Sequence, residues 1–276
     1  MHIAMLYDQG SAREQEDRYV IREQLFGIAD GVSAPYESYE SIRRFEGKTG
    51  GQIAAEIVCK ILERPSISLR SLILQANHKI RQMQEVTGLS IKYADQLAGT
   101  TVAAVRLGDV IEIVQIGDAI VAWRLKDGRV EATRNQQFLH DRELLAIFME
   151  TMKSSHGNRE EAWKHYLPIS KEYRQRDANT THPSAYGILN GQPQAERFIT
   201  YQEFPKAGIS TIILCSDGLV SFEDTESPTV LAQTMFGAYD TGGLQTMYES
   251  KRAKEAHMKN ISHVSQTEIS GIAIEL

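Results

Sequence analysis

The sequence has only two cysteines among 276 residues, so no disulfide framework can hold the fold together. Cys59 and Cys215 lie in apolar segments, and we expect both to be buried thiols of a reducing compartment. The chain also lacks an apolar run of bilayer-spanning length, and its first residues lack the basic and apolar regions of a secretory signal. These absences predict a cytoplasmic protein with no membrane association.

An excess of positive charge is absent as well. The formal net charge is -6, which gives no electrostatic reason to expect a nucleic acid as partner. The histidines show no His-Glu-x-x-His or similar spacing, so a nitrogen-rich zinc site is not predicted. The sixth residue after Cys215 is Ser221, where a thiolate phosphatase loop needs an arginine, and no Gly-x-Ser-x-Gly elbow is present. Carboxylates remain as the candidates for chemistry.

Two apolar segments of strand length each end at an Asp-Gly pair. The first segment ends at Asp30 and Gly31, and the second ends at Asp217 and Gly218. A buried strand that ends in this way holds a carboxylate at the rim of a sheet, and the glycine lets a ligand approach the backbone. A lone Asp-Gly pair more often marks a hairpin turn, but two pairs of this kind can converge on one hard metal site.

Further acidic residues lie at other predicted strand ends. The candidates, spread over the whole chain, are Glu16 or Asp17, Asp30, Asp118, Asp217 and Glu268. Neighbouring residues of a strand point to opposite sides, so only one of Glu16 and Asp17 can face an ion directly. Carboxylate oxygens are the ligands that Mg²⁺ and Mn²⁺ prefer, so the pattern predicts a site for one of these ions.

The order of the predicted elements indicates an α+β protein with antiparallel sheets. Short strands between Thr100 and Thr133 are joined by tight turns, which is typical of a meander. Helices come in pairs, and such pairs can cover the outer faces of two packed sheets. The predicted helices are Gln52–Arg64, Ser68–Val86, Phe138–Met149, Glu226–Phe236 and Gly243–Met258.

Two segments carry weak patterns. Residues 33–51 are predicted to be a flexible loop that ends in a helix start. Residues 151–181 are predicted to be a polar flap or insert with one short helix near Glu160–Tyr166. Because repeats and linkers are absent from the sequence, we expect residues 1–276 to form a single domain.

Six short motifs lie in order along nearly the whole chain. They are Gln15–Arg18, Gly27–Gly31, Gly99–Thr101, Gly117–Ala119, Cys215–Leu219 and Glu268–Ser270. Together they resemble motifs of the metal-dependent Ser/Thr protein phosphatases of the 2C type (the PPM family), among them Asn-Glu-Asp, Ala-Asp-Gly, Gly-Asp-Ser and Ser-Asp-Gly-Leu. Each motif alone is weak evidence, but six in the correct order indicate a divergent, bacterial-like member.

The resemblance implies a four-layer αββα sandwich of two antiparallel sheets flanked by helix pairs. It also implies hydrolysis of phosphoserine and phosphothreonine in proteins by a water activated at a binuclear Mn²⁺ or Mg²⁺ centre. The implied ligands are Asp30 as a bridge, Gly31 through its carbonyl, Asp217 and Glu268 on one ion, Glu16 and Asp17 directly or through waters on the other, and Asp118 with Asp217 at a weaker third site. The expected partners are a phosphorylated protein substrate and a cognate Ser/Thr kinase, and the expected state is a monomer.

The chain departs from the family pattern where phosphate is captured. Ala12 stands where the family has its phosphate-binding arginine, and we predict that Arg13 takes this role, with Arg43 and Arg44 as competing candidates. Glu268 replaces an aspartate and lengthens that ligand by one methylene group.

Other departures lie around the first Asp-Gly pair and the meander. Val32–Ala34 replaces a Gly-Gly-His that often follows in the family, and Thr49–Gly51 comes only after an insert. Ala119 replaces a serine. Two alternatives therefore stay open: a catalytically weak or inactive member that acts as a phosphoprotein-binding or regulatory module, and a metal phosphatase that acts on a small molecule.

Overall fold

The structure, a computed structural model, describes residues 1–64, 68–262 and 266–276. Its strands are β1 (His2–Asp8), β2 (Arg18–Ile21), β3 (Leu25–Val32), β4 (Arg44–Phe45), β5 (Lys48–Thr49), β6 (Gly99–Arg106), β7 (Val110–Ile116), β8 (Ile120–Leu125), β9 (Val130–Ala132), β10 (Thr200–Pro205), β11 (Ile209–Cys215) and β12 (Ile269–Glu275). Sheet I has the order β1-β12-β11-β8-β9, and sheet II has the order β10-β7-β6-β3-β2. Both sheets are antiparallel throughout.

Helices cover the outer faces of the two sheets. The helices are α1 (Gly50–Leu62), α2 (Leu69–Val86), α3 (Phe138–Ser154), α4 (Arg159–Asp177) and α5 (Pro228–Ser262). Helices α1 and α2 pack on sheet II, and α5 packs on sheet I. The backbone of α5 breaks at Gly242 and Gly243, which separates it into the two helices that the sequence predicts. The predicted α+β class with two antiparallel sheets and flanking helices is confirmed.

Side-chain alternation along β3 divides its residues between two cores. Phe26 and Ile28 are fully buried between the two sheets, whereas Leu25 and Ala29 belong to the core beneath α1 and α2. Since alternate residues of a strand share one face, Asp30 falls on the inter-sheet face at the end of β3. The strand that fills the core with apolar groups therefore delivers a carboxylate to the rim of the sandwich.

The weakly patterned segment 151–181 differs from its prediction. Instead of one short helix, it contains the end of α3 and the 19-residue helix α4, which pack against each other. The buried residues of α4 include Ser170, Arg174 and Asp177, so polar side chains interrupt the apolar period on which the prediction depends.

No helix in the described part of the chain combines the length and the apolarity needed to cross a bilayer.

The predicted loop 33–51 contains a small hairpin. Strands β4 and β5 pair across a turn at Glu46 and Gly47, where both residues have positive φ. Thr49 then caps α1, because its hydroxyl accepts a hydrogen bond from the backbone N–H of Gln52. The predicted helix start is confirmed, and the hairpin returns the chain to the end of β3.

Candidate metal centre

One end of the sandwich gathers acidic side chains from segments far apart in sequence. Asp17 lies just before β2, Asp30 at the end of β3, Asp118 in the β7–β8 turn, Asp217 just after β11, and Glu268 just before β12. The negative charges of Asp17, Asp217, Asp118 and Glu268 each raise the pKa of Asp30, which lies well above its ordinary value mainly because the carboxyl is desolvated. Burial and neighbouring carboxylates are thus the largest causes of the Asp30 pKa shift.

Hydrogen bonds to its side chain and to its backbone fix Asp17 within this cluster. It is 1% exposed, and its Oδ2 accepts a hydrogen bond of 2.7 Å from the Ser270 hydroxyl. Tyr7 donates to its backbone carbonyl at 2.8 Å. Burial raises the pKa of Asp17 to about 6, while the Ser270 hydrogen bond opposes the shift and the charge of Asp217 adds to it. The side chain is therefore fixed but not neutralised by a counter-charge.

Asp118 contributes an oxygen that the protein leaves without a partner. Its Oδ1 is buried and forms no hydrogen bond of normal geometry in the described structure, while Thr101 and Gln137 are the polar side chains beside the carboxylate. Burial, followed by the charge of Asp217, raises the pKa of Asp118 to about 7. Buried polar atoms normally have partners, so an orphaned carboxylate oxygen facing other carboxylates fits a bound cation.

Glu268 closes the cluster from the opposite sheet. Its Oε2 accepts hydrogen bonds from the backbone N–H groups of Glu16 at 2.7 Å and Asp17 at 3.2 Å. Burial and the charge of Asp17 raise its pKa to about 7. A Cβ on Gly218 would lie 1.7 Å from the Glu268 carbonyl oxygen, so only glycine permits the close approach of these two strand ends.

Glu16 occupies a separate pocket beside the N-terminus of α1. Its carboxylate accepts hydrogen bonds from the Ser33 hydroxyl at 2.6 Å, the Ser33 N–H at 3.1 Å and the Thr49 hydroxyl. A Cβ on Gly31 would lie 2.6 Å from the Gly51 carbonyl oxygen and 2.7 Å from that of Glu16. The insert thus returns Gly51 to the side of Gly31, although it lies some twenty residues later in the sequence.

Asp141 joins the cluster without having been singled out from the sequence. It lies in the first turn of α3, and its pKa is well above the ordinary value because of burial, followed by the charges of Asp118 and Asp217. The preceding residue, His140, bonds the buried Asp177 of α4 through Nδ1 at 2.8 Å, which fixes the start of α3. An acid in the first turn of a helix is common, so the sequence offers no distinctive pattern for it.

Arg174 is a second residue that sequence reasoning missed. Its guanidinium is almost fully buried and donates to the carbonyl oxygens of Ser33 at 3.1 Å, Leu97 at 2.7 Å and Ala94 at 3.3 Å. Because Ser33 in turn donates to Glu16, Arg174 connects α4 to the rim of the site. Its place on a helix without a clear apolar period hides this role in the sequence.

Arg13 lies in a cleft beside the cluster rather than among the carboxylates. Its side chain is 66% exposed and forms an ion pair with Glu40 at 3.6 Å. The guanidinium lies 4.5 Å from the centre of the Tyr39 ring. Arg44 lies near the same ring and pairs with Glu14 at 2.5 Å. The role of Arg13 in phosphate binding stays a prediction.

The donor set fits hard divalent cations in its chemistry. It consists of oxygen atoms, carries uncompensated negative charge and includes the orphaned Oδ1 of Asp118. In residues 1–64, 68–262 and 266–276, no three His, Cys, Asp or Glu side chains are already arranged to hold an ion. The carboxylates are close enough to shift one another's pKa values, but Asp17 and Glu268 are hydrogen-bonded to the protein.

Two packed antiparallel sheets that bring carboxylates together at one end define a class, the metal-dependent phosphatases with a helix–sheet–sheet–helix sandwich. Residues 15–269 match the family model described as Protein phosphatase 2C, and the chain belongs to this family. The resemblance drawn from the sequence motifs is thereby confirmed. Members of the family and its structural neighbours are Ser/Thr protein phosphatases, which are metal-dependent hydrolases. No curated protein sequence is significantly similar to the chain.

Solved phosphatase structures share the fold over almost the whole chain. The catalytic domain of the serine/threonine phosphatase PstP, in complex with two manganese ions, is 19% identical with a TM-score of 0.56, covering 99% of this chain and 96% of PstP. MsPP from Mycobacterium smegmatis, in complex with cacodylate, is 17% identical with a TM-score of 0.54, covering 100% and 98%. Stp1 from Staphylococcus aureus is 14% identical with a TM-score of 0.54, covering 99% and 94%. At these identities the likeness shows the fold alone.

The raised pKa values predict an unusual pH dependence of stability for the metal-free protein. Asp17 has a pKa of about 6 in the fold, and Asp118 and Glu268 have values of about 7, against about 4 when unfolded. The stability that these three carboxyl groups contribute is fully present below pH 4. It is lost as the pH rises through 6 to 7, because the groups release their protons at a lower pH in the unfolded state than in the fold. We expect the Tm in EDTA to fall by about 5 °C or more between pH 5.5 and pH 8.

Calorimetry with EDTA or with Mn²⁺ at both pH values tests this prediction. Cations take the place of the lost protons, so Mn²⁺ should raise Tm more at pH 8 than at pH 5.5. A metal-free Tm that rises steadily over this range would contradict it.

The contacts of Arg174 predict a large loss of stability when its guanidinium is removed. Arg174→Met removes the guanidinium donor of three carbonyl oxygens, of which only that of Ala94 keeps a backbone donor, the Leu97 N–H, and we expect the free energy of unfolding to fall by about 3 kcal/mol. The matched control is Arg129→Met, since Arg129 is 70% exposed and pairs only with Asp127 at the surface. Its change should stay within about 0.5 kcal/mol. Equal midpoints of the two variants in urea unfolding would refute the assigned role.

Proposed function

We propose that the chain hydrolyses phosphoserine and phosphothreonine esters in proteins at a centre of two divalent cations, Mn²⁺ or Mg²⁺, with a weaker third site. The carrying observation is that carboxylates from both sheets lie close enough to one another to raise the pKa of Asp30. We further propose that residues 1–276 act as one phosphatase domain and that the protein is a cytoplasmic monomer. Its partners in this proposal are a phosphorylated protein and a cognate Ser/Thr kinase.

The residues have distinct parts in this proposal. Asp30, the Gly31 carbonyl, Asp217 and Glu268 would hold the paired cations, and Asp118 with Asp217 would hold the third, with Asp141 beside them. Bound there, the cations supply Lewis-acid polarisation of the phosphoryl oxygens and lower the pKa of water near the phosphorus. Ser270 orients Asp17 through its hydrogen bond of 2.7 Å. Glu16, which is engaged with Ser33 and Thr49, fixes the backbone around Gly31 and orients water at the rim.

Mutual charge repulsion also supports the assignment of Asp30 as the bridge. Among the acids of the site, Asp30 is affected by the largest number of neighbouring carboxylates, since Asp17, Asp118, Asp217 and Glu268 all raise its pKa. A position close to every other ligand is the one from which a single carboxylate can contact two ions. Its backbone is fixed by the Thr100 hydroxyl, which donates to the Asp30 carbonyl at 2.7 Å.

A catalytically weak or inactive phosphoprotein-binding module is the second candidate function. Two observations favour it: Arg13 is paired with Glu40 and stacked on Tyr39, and the Glu268 carboxylate is folded onto the backbone of Glu16 and Asp17. Phosphopeptide binding without metal-dependent hydrolysis would support this candidate over the enzyme.

Replacing Asp30 tests the proposed centre directly. Asp30→Asn should lower Mn²⁺-dependent phosphate release from a phosphothreonine peptide by about 10³-fold or more, because the shared ligand of both ions is lost. The metal-free variant should unfold at a higher temperature than the wild type, since one of several repelling charges is gone. Asp109→Asn, at an exposed turn of sheet II, is the matched control and should change neither quantity. Near wild-type turnover of Asp30→Asn at saturating Mn²⁺ would disprove the assignment.

Arginine variants test how phosphate is captured. If Arg13 turns from Tyr39 to the phosphoryl group, Arg13→Ala should raise KM for a phosphopeptide by about tenfold and weaken inhibition by inorganic phosphate, with Mn²⁺ affinity little changed. Arg43→Ala and Arg44→Ala, on the hairpin side of the cleft, are the matched comparisons. If one of these two variants shows the loss while Arg13→Ala behaves as wild type, the hairpin supplies the phosphate-binding arginine.

A further inference from the structure

A cleft of about 800 Å³ opens directly beside the metal centre. Glu16 and Glu268 form its floor, the segment from Ser33 to Thr49 forms one wall, and the first turns of α4 form the other. Sites of 300 to 1,000 Å³ accommodate ligands much larger than a phosphoryl group. The cleft therefore has room for residues on either side of a phosphorylated side chain.

Aromatic rings line both walls of this cleft. Tyr36 and Tyr39 come from the loop, and Trp163 comes from α4. The Trp163 Nε1–H donates to the Tyr36 carbonyl oxygen at 3.2 Å, which joins the two walls. Behind Trp163 lies Tyr166, with ring centres 5.5 Å apart, and Tyr166 packs in turn on Phe148. The Trp163 ring is thus held in place by its contacts with the Tyr166 ring and the Tyr36 carbonyl.

Charged groups of the walls are mostly paired with one another. Glu14 accepts hydrogen bonds from Arg44 and Tyr39, Glu160 pairs with Lys164 at 2.8 Å, and Arg13 pairs with Glu40 at 3.6 Å. These pairs satisfy the charges internally, so neither an acidic nor a basic flanking residue gains a dedicated partner. Arg13 and Arg44 lie over the Tyr39 ring, so the rings of Tyr36 and Trp163 are what the walls offer to a ligand.

We propose that Tyr36 and Trp163 form a docking site for an aromatic or large aliphatic side chain adjacent to the phosphorylated residue of a protein substrate. This inference rests on the proposed function and specifies its substrate class. The continuity of the cleft with Glu16 and Glu268 places a docked side chain next to the reacting group. Offset or edge-on packing against these rings favours an aromatic or large aliphatic occupant.

Tyr36 connects this docking site to the centre. Tyr36 lines the same cleft as Glu16 and Glu268, and burial, followed by the charge of Glu16, raises its pKa. Its side chain remains 37% exposed and can therefore contact a ligand.

Paired phosphothreonine peptides test the proposal through kinetics. One peptide carries phenylalanine beside the phosphothreonine and the other carries alanine there. We expect the phenylalanine peptide to have a kcat/KM about tenfold higher with Mn²⁺. Trp163→Ala should make the two peptides equal, and Trp163→Phe should retain most of the preference. Tyr36→Ala acts on the opposite wall and should show the same loss, which keeps the test valid if α4 is disturbed. Tyr93→Ala, exposed and outside the cleft, is the control.

Tryptophan fluorescence gives a second readout that needs no turnover. The chain has two tryptophans, and Trp123 is 2% exposed in the core between the sheets, so a change on peptide addition reports Trp163. The phenylalanine peptide should change the emission more strongly than the alanine peptide, in EDTA as well as with Mn²⁺, and Trp163→Phe should abolish this change.

The outcomes separate this inference from the proposed function. Equal kcat/KM values for both peptides and no change of Trp163 emission would overturn the docking site while leaving the phosphatase intact. Emission changes that favour the phenylalanine peptide without any hydrolysis would support docking and overturn the enzyme. Hydrolysis confined to small phosphate monoesters, with no peptide response, would overturn docking and favour a small-molecule substrate.

Discussion

Negative charge held at one end of the sandwich is the constraint on which the rest of the structure depends. Asp17 and Glu268 are held by a hydroxyl and by backbone N–H groups, which are dipoles without net charge. Such donors fix the position of a carboxylate without cancelling its charge. A cation is therefore still needed to neutralise the negative charge of the site. An arginine or lysine in their place would stabilise the empty protein and compete with the metal.

The two sheets make this arrangement possible because alternate residues share a face. On β3 the residues that fill the inter-sheet core precede Asp30 on the same face, so one register serves both packing and the site. Missing side chains permit close approaches at the rim, where Gly31 lies against Gly51 and Glu16, and Gly218 lies against Glu268. The same strand register therefore packs the core and brings the acidic side chains together.

Much of the site could be predicted because its information is local. Asp30 and Asp217 follow apolar runs in Asp-Gly pairs, and the recurrence of this short pattern in two distant segments is what predicts a shared site. Asp141 and Arg174 could not be found in this way, because an acid in a first helical turn is common and a buried arginine on a polar helix breaks the apolar period. For the same reason α4 itself was predicted as a short helix in a flap. Only the tertiary contacts of Asp141 and Arg174 show that these residues belong to the site.

Helix α4 has two attachments to the same end of the molecule. Near its start Trp163 bonds the loop at Tyr36, and near its end Arg174 bonds the loop at Ser33, whose N–H and hydroxyl hold Glu16. A rigid helix fastened at both ends to one loop cannot be exchanged for another without moving that loop. A change in α4 therefore acts on this loop at two places, at Tyr36 in the cleft and at Ser33 beside Glu16.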